Sequence, residues 1–221
     1  MDQSPAVINN ATVFIIDDDE IALKSLTALI SSMRIDYACF GSAEEFLDSY
    51  SHSDSGCIVT DLRMLGMSGA ELQQKLAEMG SALPVIIITA YASIPVAVES
   101  LQSGVFTFLE KSCSEDELWQ AIKDAFIQNK DRMTEKHKRD SIEKIIAILT
   151  NEEQKILELI AEGNSNKQIA YTLDMGLRTV ENRRHQIMHK VGVKSLAELM
   201  KFFIQAKRIE AGNLQADSRQ R

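Results

Sequence analysis

Five short apolar runs, each followed by a segment with helical spacing, constrain the N-terminal part of this chain more than any other feature. The runs are Thr12–Ile16, Tyr37–Phe40, Cys57–Thr60, Val85–Thr89 and Phe106–Leu109. Helical patterns follow them at Ile21–Met33, Ala43–Ser49, Gly69–Met79, Pro95–Ser103 and Ser114–Ile127. Strands alternating with helices at this pace form a parallel sheet with helices on both faces, a doubly wound α/β fold. The fourth run, VIIIT, is almost wholly apolar, as a strand covered on both faces must be.

After Ile127 the pattern changes. Residues Gln128–Lys144 are mostly charged and hold neither Gly nor Pro, which suits a solvated helical connector. The rest has helical spacing, with breaks at Gly163-Asn164, Asp174–Gly176 and Gly192, and reads as a small all-α domain. The expected division is 10–128, 129–148 and 149–208. Charge follows it: residues 1–127 carry 6 Lys and Arg against 19 Asp and Glu, whereas 148–221 carry 12 against 9. The first part repels nucleic acid and the last can approach it. No run reaches the ~18–20 apolar residues of a membrane span. No leader pattern opens the chain, and Cys39, Cys57 and Cys113 form no CxxC pair. A cytoplasmic protein without a membrane partner is expected.

Acidic residues punctuate the strand ends. Asp17 and Asp18 follow VFII, and Asp61 follows CIVT. Carboxyl ends of parallel strands are where open α/β folds bind ligands. If the first and third strands are neighbours, the three carboxylates converge and require a cation, for which Mg2+ is the fitting hard ion. Thr89 and Lys111 also stand at strand ends, so a hydroxyl and an ammonium can face the same anion. Asp19 and Glu20 read as charges at a helix start.

At this point a family resemblance carries the reading further. FIIDDDE, VTDLRMLGMSG, VIIITAYA and FLEKS resemble, in order and spacing, the motifs of receiver domains, with a flavodoxin-like five-stranded sheet. The resemblance implies that Asp61 accepts a phosphoryl group from a sensor histidine kinase. It implies that Asp17, Asp18, Asp61 and the backbone carbonyl of Arg63 hold Mg2+. Lys111 would pair with Asp61 and then with the phosphoryl oxygens. Thr89 would bond the phosphoryl group, Phe108 would be a rotating switch, and Arg63 and Tyr91 would screen the product from water. Homodimerisation would follow through a surface including Pro95, Val96, Val98 and Phe106. Two positions depart from the pattern: Leu65 and Ser112 stand where receivers usually carry proline.

The C-terminal block, TNEEQKILELIAEGNSNKQIAYTLDMGLRTVENRRHQIMHKVGVKSLAELMKFFIQ, opens with a capping box at Thr150 and Glu153. Ile156, Leu159 and Ile160 form an apolar stripe. A scaffold helix at Asn166–Leu173, a turn at Asp174–Leu177 and a second helix at Arg178–Val191 follow. That second helix is buried through Val180, Ile187 and Val191 and leaves Arg178, Glu181, Asn182, His185 and His189 open, as a helix entering a major groove requires. The block resembles the LuxR-type helix-turn-helix domain, and the whole chain resembles the NarL/FixJ class of response regulators. The resemblance implies that double-stranded DNA is read by Glu181, Asn182 and His185, with Lys167, Thr179, Arg184 and Lys190 on phosphates. It places part of a dimer contact on Ala197–Phe203 and implies RNA polymerase as a further partner. Arg183 and Gly176 replace a usual His and a usual N-cap Ser. The function expected is a phosphorylation-gated transcription factor rather than an enzyme; the alternative is a regulator that binds DNA without phosphate control.

Overall fold

The computed structural model describes residues 11–90 and 104–219, the last eight as backbone only. The expected helix Pro95–Ser103, and Tyr91 with it, lie outside the described residues. The chain divides into two units, Met1–Thr134 and Glu135–Arg221.

In the first unit, strands β1 (Thr12–Ile16), β2 (Asp36–Phe40), β3 (Gly56–Asp61), β4 (Val85–Thr89) and β5 (Thr107–Glu110) pair in parallel in the order β2-β1-β3-β4-β5. Helices α1 (Glu20–Ser32), α2 (Ala43–Ser49), α3 (Gly69–Glu78) and α4 (Glu115–Ile148) connect and follow them. Alternation along the strands splits the core in two. Val13, Ile15, Cys57, Val59, Ile86 and Ile88 pack with Ile30 of α1 and with Leu118, Ile122 and Phe126 of α4. Ile16, Ile58, Val85 and Ile87 pack instead with Phe46 of α2 and with Leu72 and Leu76 of α3. Both faces are covered, as the run VIIIT required, and all five of its residues are buried.

Side-chain caps start the helices. Asp19 accepts the amides of Ile21 and Ala22 at the head of α1, while Glu20 pairs with Lys24 at 3.1 Å on its exposed face. Ser68 and Glu71 form a capping box on α3. The expected helix Ser114–Ile127 and the helical connector after it form one element, for α4 runs unbroken through Gln128–Lys144 to Ile148. Loss of hydrophobicity does not stop a helix; Gly, Pro or a competing cap does, and this stretch has none. Glu135–Lys138 and Arg139–Glu143 pairs line its surface. Asn129, 1% exposed, anchors α4 to the start of the sheet. Its Oδ1 accepts the Gly56 amide at 3.0 Å and the Ser55 hydroxyl at 3.1 Å, and its Nδ2 donates to the Ala82 carbonyl at 3.0 Å. Gly56 has φ +144° and lies so close to β1 that any Cβ would strike the Thr12 carbonyl.

The second unit holds α5 (Asn151–Ala161), α6 (Asn166–Thr172), α7 (Leu177–Val191) and α8 (Leu196–Arg219). Its core joins Leu149, Ile156, Leu157, Ile160, Ile169, Val180, Ile187, Val191, Leu199 and Phe202. The stripe on α5 therefore runs through Leu157, with Leu159 only partly buried. Capping boxes open α5 at Thr150/Glu153 and α6 at Ser165/Gln168. The turn between α6 and α7 closes one residue earlier than expected, because Leu177 is already helical and Gly176 is its N-cap. Asp174 takes φ +50° in that turn, a conformation Asp tolerates better than most residues. Gly192 ends α7 at φ +76°, the left-handed cap for which glycine is best suited.

Candidate phosphoacceptor site and nucleic-acid interface

The strand order decides the first site. β1 lies beside β3, so Asp17 and Asp18 leave the sheet next to Asp61, at the point where the chain winding reverses. β5 runs beside β4 and delivers Lys111, whose amide donates to the Thr89 carbonyl at 2.8 Å. Asp17 is 1% exposed. One of its oxygens accepts the Asp19 amide at 3.0 Å and the other the Lys111 ammonium at 2.8 Å. Lys111 is 3.5 Å from Asp61 Oδ1. The expected pairing of Lys111 with Asp61 is present, and Asp17, the more deeply buried carboxylate, is a second and closer partner. The Lys111–Ser112 peptide is trans, with no cis bond among the described residues.

Asp61 is held by the Arg63 amide, which donates to Oδ2 at 3.2 Å, while Oδ1 is buried without a hydrogen bond. Burial raises the Asp61 carboxyl above its ordinary range; Lys111 opposes this, the Asp17 charge adds to it, and the amides of Arg63 and Leu62 oppose it. For Lys111 burial acts downward, but the Asp17 hydrogen bond and the charges of Asp17 and Asp61 outweigh it and hold the ammonium above its usual value. Asp18 is exposed, and its Oδ2 accepts the Leu65 amide at 2.8 Å. Thr89 is 2% exposed. Phe108 is partly buried against the α2 and α3 side of the core.

Among the described residues no three carboxylate, His or Cys groups are gathered closely enough to cage a metal. Magnesium does not need such a cage, since it takes one or two carboxylates and retains waters. Two carboxylates facing one ammonium, with a buried oxygen on Asp61 that makes no hydrogen bond, fit that ion.

The second site is the outer face of α7. Arg178, Thr179, Glu181, Asn182, His185 and His189 are exposed there, and Lys167 is exposed on α6. Arg184 is half-buried and donates to Asn166 Oδ1 at 3.0 Å, which ties α7 to the scaffold helix. Arg183 pairs with Glu152 at 3.0 Å. Lys190 is also half-buried. Its ammonium lies 2.7 Å from Glu153 and 3.3 Å from the Ile148 carbonyl. Glu153 is 1% exposed. Burial pushes its carboxyl upward, but the Lys190 hydrogen bond and the Thr150 amide bring it below the ordinary range. Sequence reasoning found Glu153 only as a cap; its pairing across 37 residues carries no local signal.

The family model of the response regulator receiver domain matches residues 13–123, and that of the luxR family of bacterial regulatory proteins matches 147–203. The transcriptional regulatory protein TdiR of Thauera aromatica is 36% identical over 194 residues, 88% of this chain and 86% of its own length. The response regulator protein TodT of Pseudomonas putida is 34% identical over 191 residues, 86% of this chain and 84% of its own. The solved structure of the response regulator StyR superposes with a TM-score of 0.82 at 36% identity, covering 89% of this chain and 99% of that one. The chain belongs to the response regulators, in the NarL/FixJ class that joins a receiver domain to a luxR-type helix-turn-helix domain. No described helix is long and apolar enough to cross a membrane.

Proposed function

We propose that this protein is a phosphorylation-gated transcription factor, loaded on Asp61 by a sensor histidine kinase and reading promoter DNA as a homodimer. The observation that carries the reading is Asp61 itself, beside Lys111 and Asp17 at the strand ends, with one buried oxygen lacking a hydrogen bond. In the transfer, Asp61 Oδ1 forms a bond to phosphorus as the donor's nitrogen–phosphorus bond breaks, and the kinase histidine leaves carrying a proton. Asp17, Asp18, Asp61 and the Arg63 carbonyl would hold Mg2+, which offsets the negative charge of the incoming group. Lys111 neutralises a phosphoryl oxygen, and the Thr89 hydroxyl donates to another. Withdrawal of Thr89 makes room for Phe108 to turn inward, a two-state change biased by one new charge.

On DNA, Glu181, Asn182 and His185 face base edges, with Lys167, Thr179 and Arg184 toward phosphates. Lys190 reaches a phosphate only by sharing or leaving Glu153. RNA polymerase is the downstream partner, and the cytoplasm the expected location.

Incubation with acetyl phosphate and Mg2+ tests the first step. One stable phosphoryl group on the wild-type chain, and none on Asp61→Asn, is the expected result. Incorporation by Asp61→Asn sinks the assignment, and continuous turnover of donor would point to a phosphatase instead. Sequence-selective, phosphate-insensitive DNA binding would favour the ungated alternative.

A further inference from the structure

The loop between β3 and α3 bears on a residue it was not expected to touch. Leu65 is 82% exposed, so its side chain adds little to packing. Its amide, however, donates to Asp18 Oδ2 at 2.8 Å, across 47 residues of sequence. The rest of the loop is fixed independently. The Met67 amide donates to Glu44 Oε1 at 2.9 Å, the Gly69 amide to the Leu62 carbonyl at 3.2 Å, and the Arg63 amide to Asp61 Oδ2 at 3.2 Å. Gly66, at φ +83°, lies against Glu44, where a Cβ would come within 2.9 Å of Oε1. A braced loop thus presents one amide to one carboxylate.

We propose that the Leu65 amide is a latch on Asp18, occupying an oxygen of this metal ligand so that Mg2+ must break the bond to enter. This rests on the phosphoacceptor reading and adds a positioning residue to it. Asp18 Oδ2 is already committed to the loop amide at 2.8 Å. A carboxylate oxygen already bonded to an N–H is also a weaker ligand for a cation that demands near-ideal geometry. The latch sets a threshold: the apo site stays closed to low Mg2+, and cation entry is coupled to displacement of the loop that follows the phosphoacceptor. The position matters because proline, usual here in receivers, has no N–H and offers no latch. Leu65 is therefore the residue that makes cation entry in this chain a competition.

The test measures Mg2+ affinity of the full chain without any phosphoryl donor, by calorimetric titration with magnesium chloride. Leu65→Pro deletes the amide proton, and Leu65→Ala keeps it while removing the side chain. Leu65→Pro should bind Mg2+ about ten- to a hundredfold more tightly than Leu65→Ala, the worth of one hydrogen bond to a charged group. In the wild type, the Leu65 amide should shift upfield in nuclear magnetic resonance spectra and exchange faster as Mg2+ saturates. That second measurement decides the matter if Leu65→Pro does not fold. Equal or weaker binding by a folded Leu65→Pro overturns the latch, as does a Leu65 amide unmoved at saturation, which would mean that Asp18 ligates while still bonded. Absence of Mg2+ uptake by every variant overturns the phosphoacceptor reading itself, and the latch with it.

Discussion

Replacing Lys190 with Met probes a charge that the fold has committed twice. Glu153 is 1% exposed and Lys190 33%, with 2.7 Å between the charged atoms. Breaking a fully buried ion pair costs about 3–5 kcal/mol, mostly from the charge left behind. Here the lysine is a third exposed, so water screens part of the pairing. The Thr150 amide, at 2.8 Å, continues to hold Glu153. A loss of about 1.5–3 kcal/mol is expected after that discount. In a small domain each kcal/mol moves Tm by about 4–8 °C, so the unfolding transition of the C-terminal unit should fall by about 6–24 °C. The pH dependence has a definite sign. The Glu153 carboxyl is held below its ordinary value in the folded state, so its stabilisation is present above the unfolded pKa of 4.5 and is lost as pH falls through the folded value. The gap between Lys190→Met and wild type should therefore be full at pH 7 and close only as pH falls through the lowered folded value. Scanning calorimetry of the full chain at both pH values measures this. Glu153→Gln combined with Lys190→Met should recover much of the loss, because no buried charge remains unpaired. An unchanged melting temperature for Lys190→Met, with equal weakening of binding to all DNA sequences, would refute the reasoning and make Lys190 a plain phosphate contact.

Further outcomes follow from other residues. Asp61→Asn should raise the melting temperature of the N-terminal unit at pH 7: the Asp61 carboxyl is raised on folding, so ionisation destabilises the fold above the unfolded value of 3.8, and a neutral amide removes that cost. Asn129→Ala leaves the Gly56 amide and the Ala82 carbonyl without their partner; urea unfolding should report a loss of about 2–4 kcal/mol, whereas a loss under about 0.5 kcal/mol would mean that water replaces the side chain. Asn182→Ala should relax preference at one base position, costing about 1–3 kcal/mol there in binding-site selection; a uniform loss over all sequences would place Asn182 on a phosphate instead.

Local order was legible in the residues alone. Five β-like runs and the helices after them are periodic signals that need no knowledge of neighbours, and Thr150 with Glu153 announces a helix start within four residues of sequence. The alternation in VIIIT and VFII sorts side chains onto two faces of a sheet, whichever strands flank it. The polar face of α7 follows from helical spacing in the same way. The charged stretch after Ile127 stays helical for the same local reason, since it holds no Gly, Pro or competing cap. Partner choice was not legible, because it depends on which strand ends and helix faces the fold brings together. Parallel order set β1 beside β3 and so brought Asp17 to Asp61, and β5 beside β4 brought Lys111 to both. The same holds for Lys190 with Glu153, Asn129 with Gly56 and Ala82, and Leu65 with Asp18, pairs separated by 37 to 73 residues. Each joins groups that water would otherwise solvate, and only the packed tertiary structure excludes enough water to make the partner's identity matter.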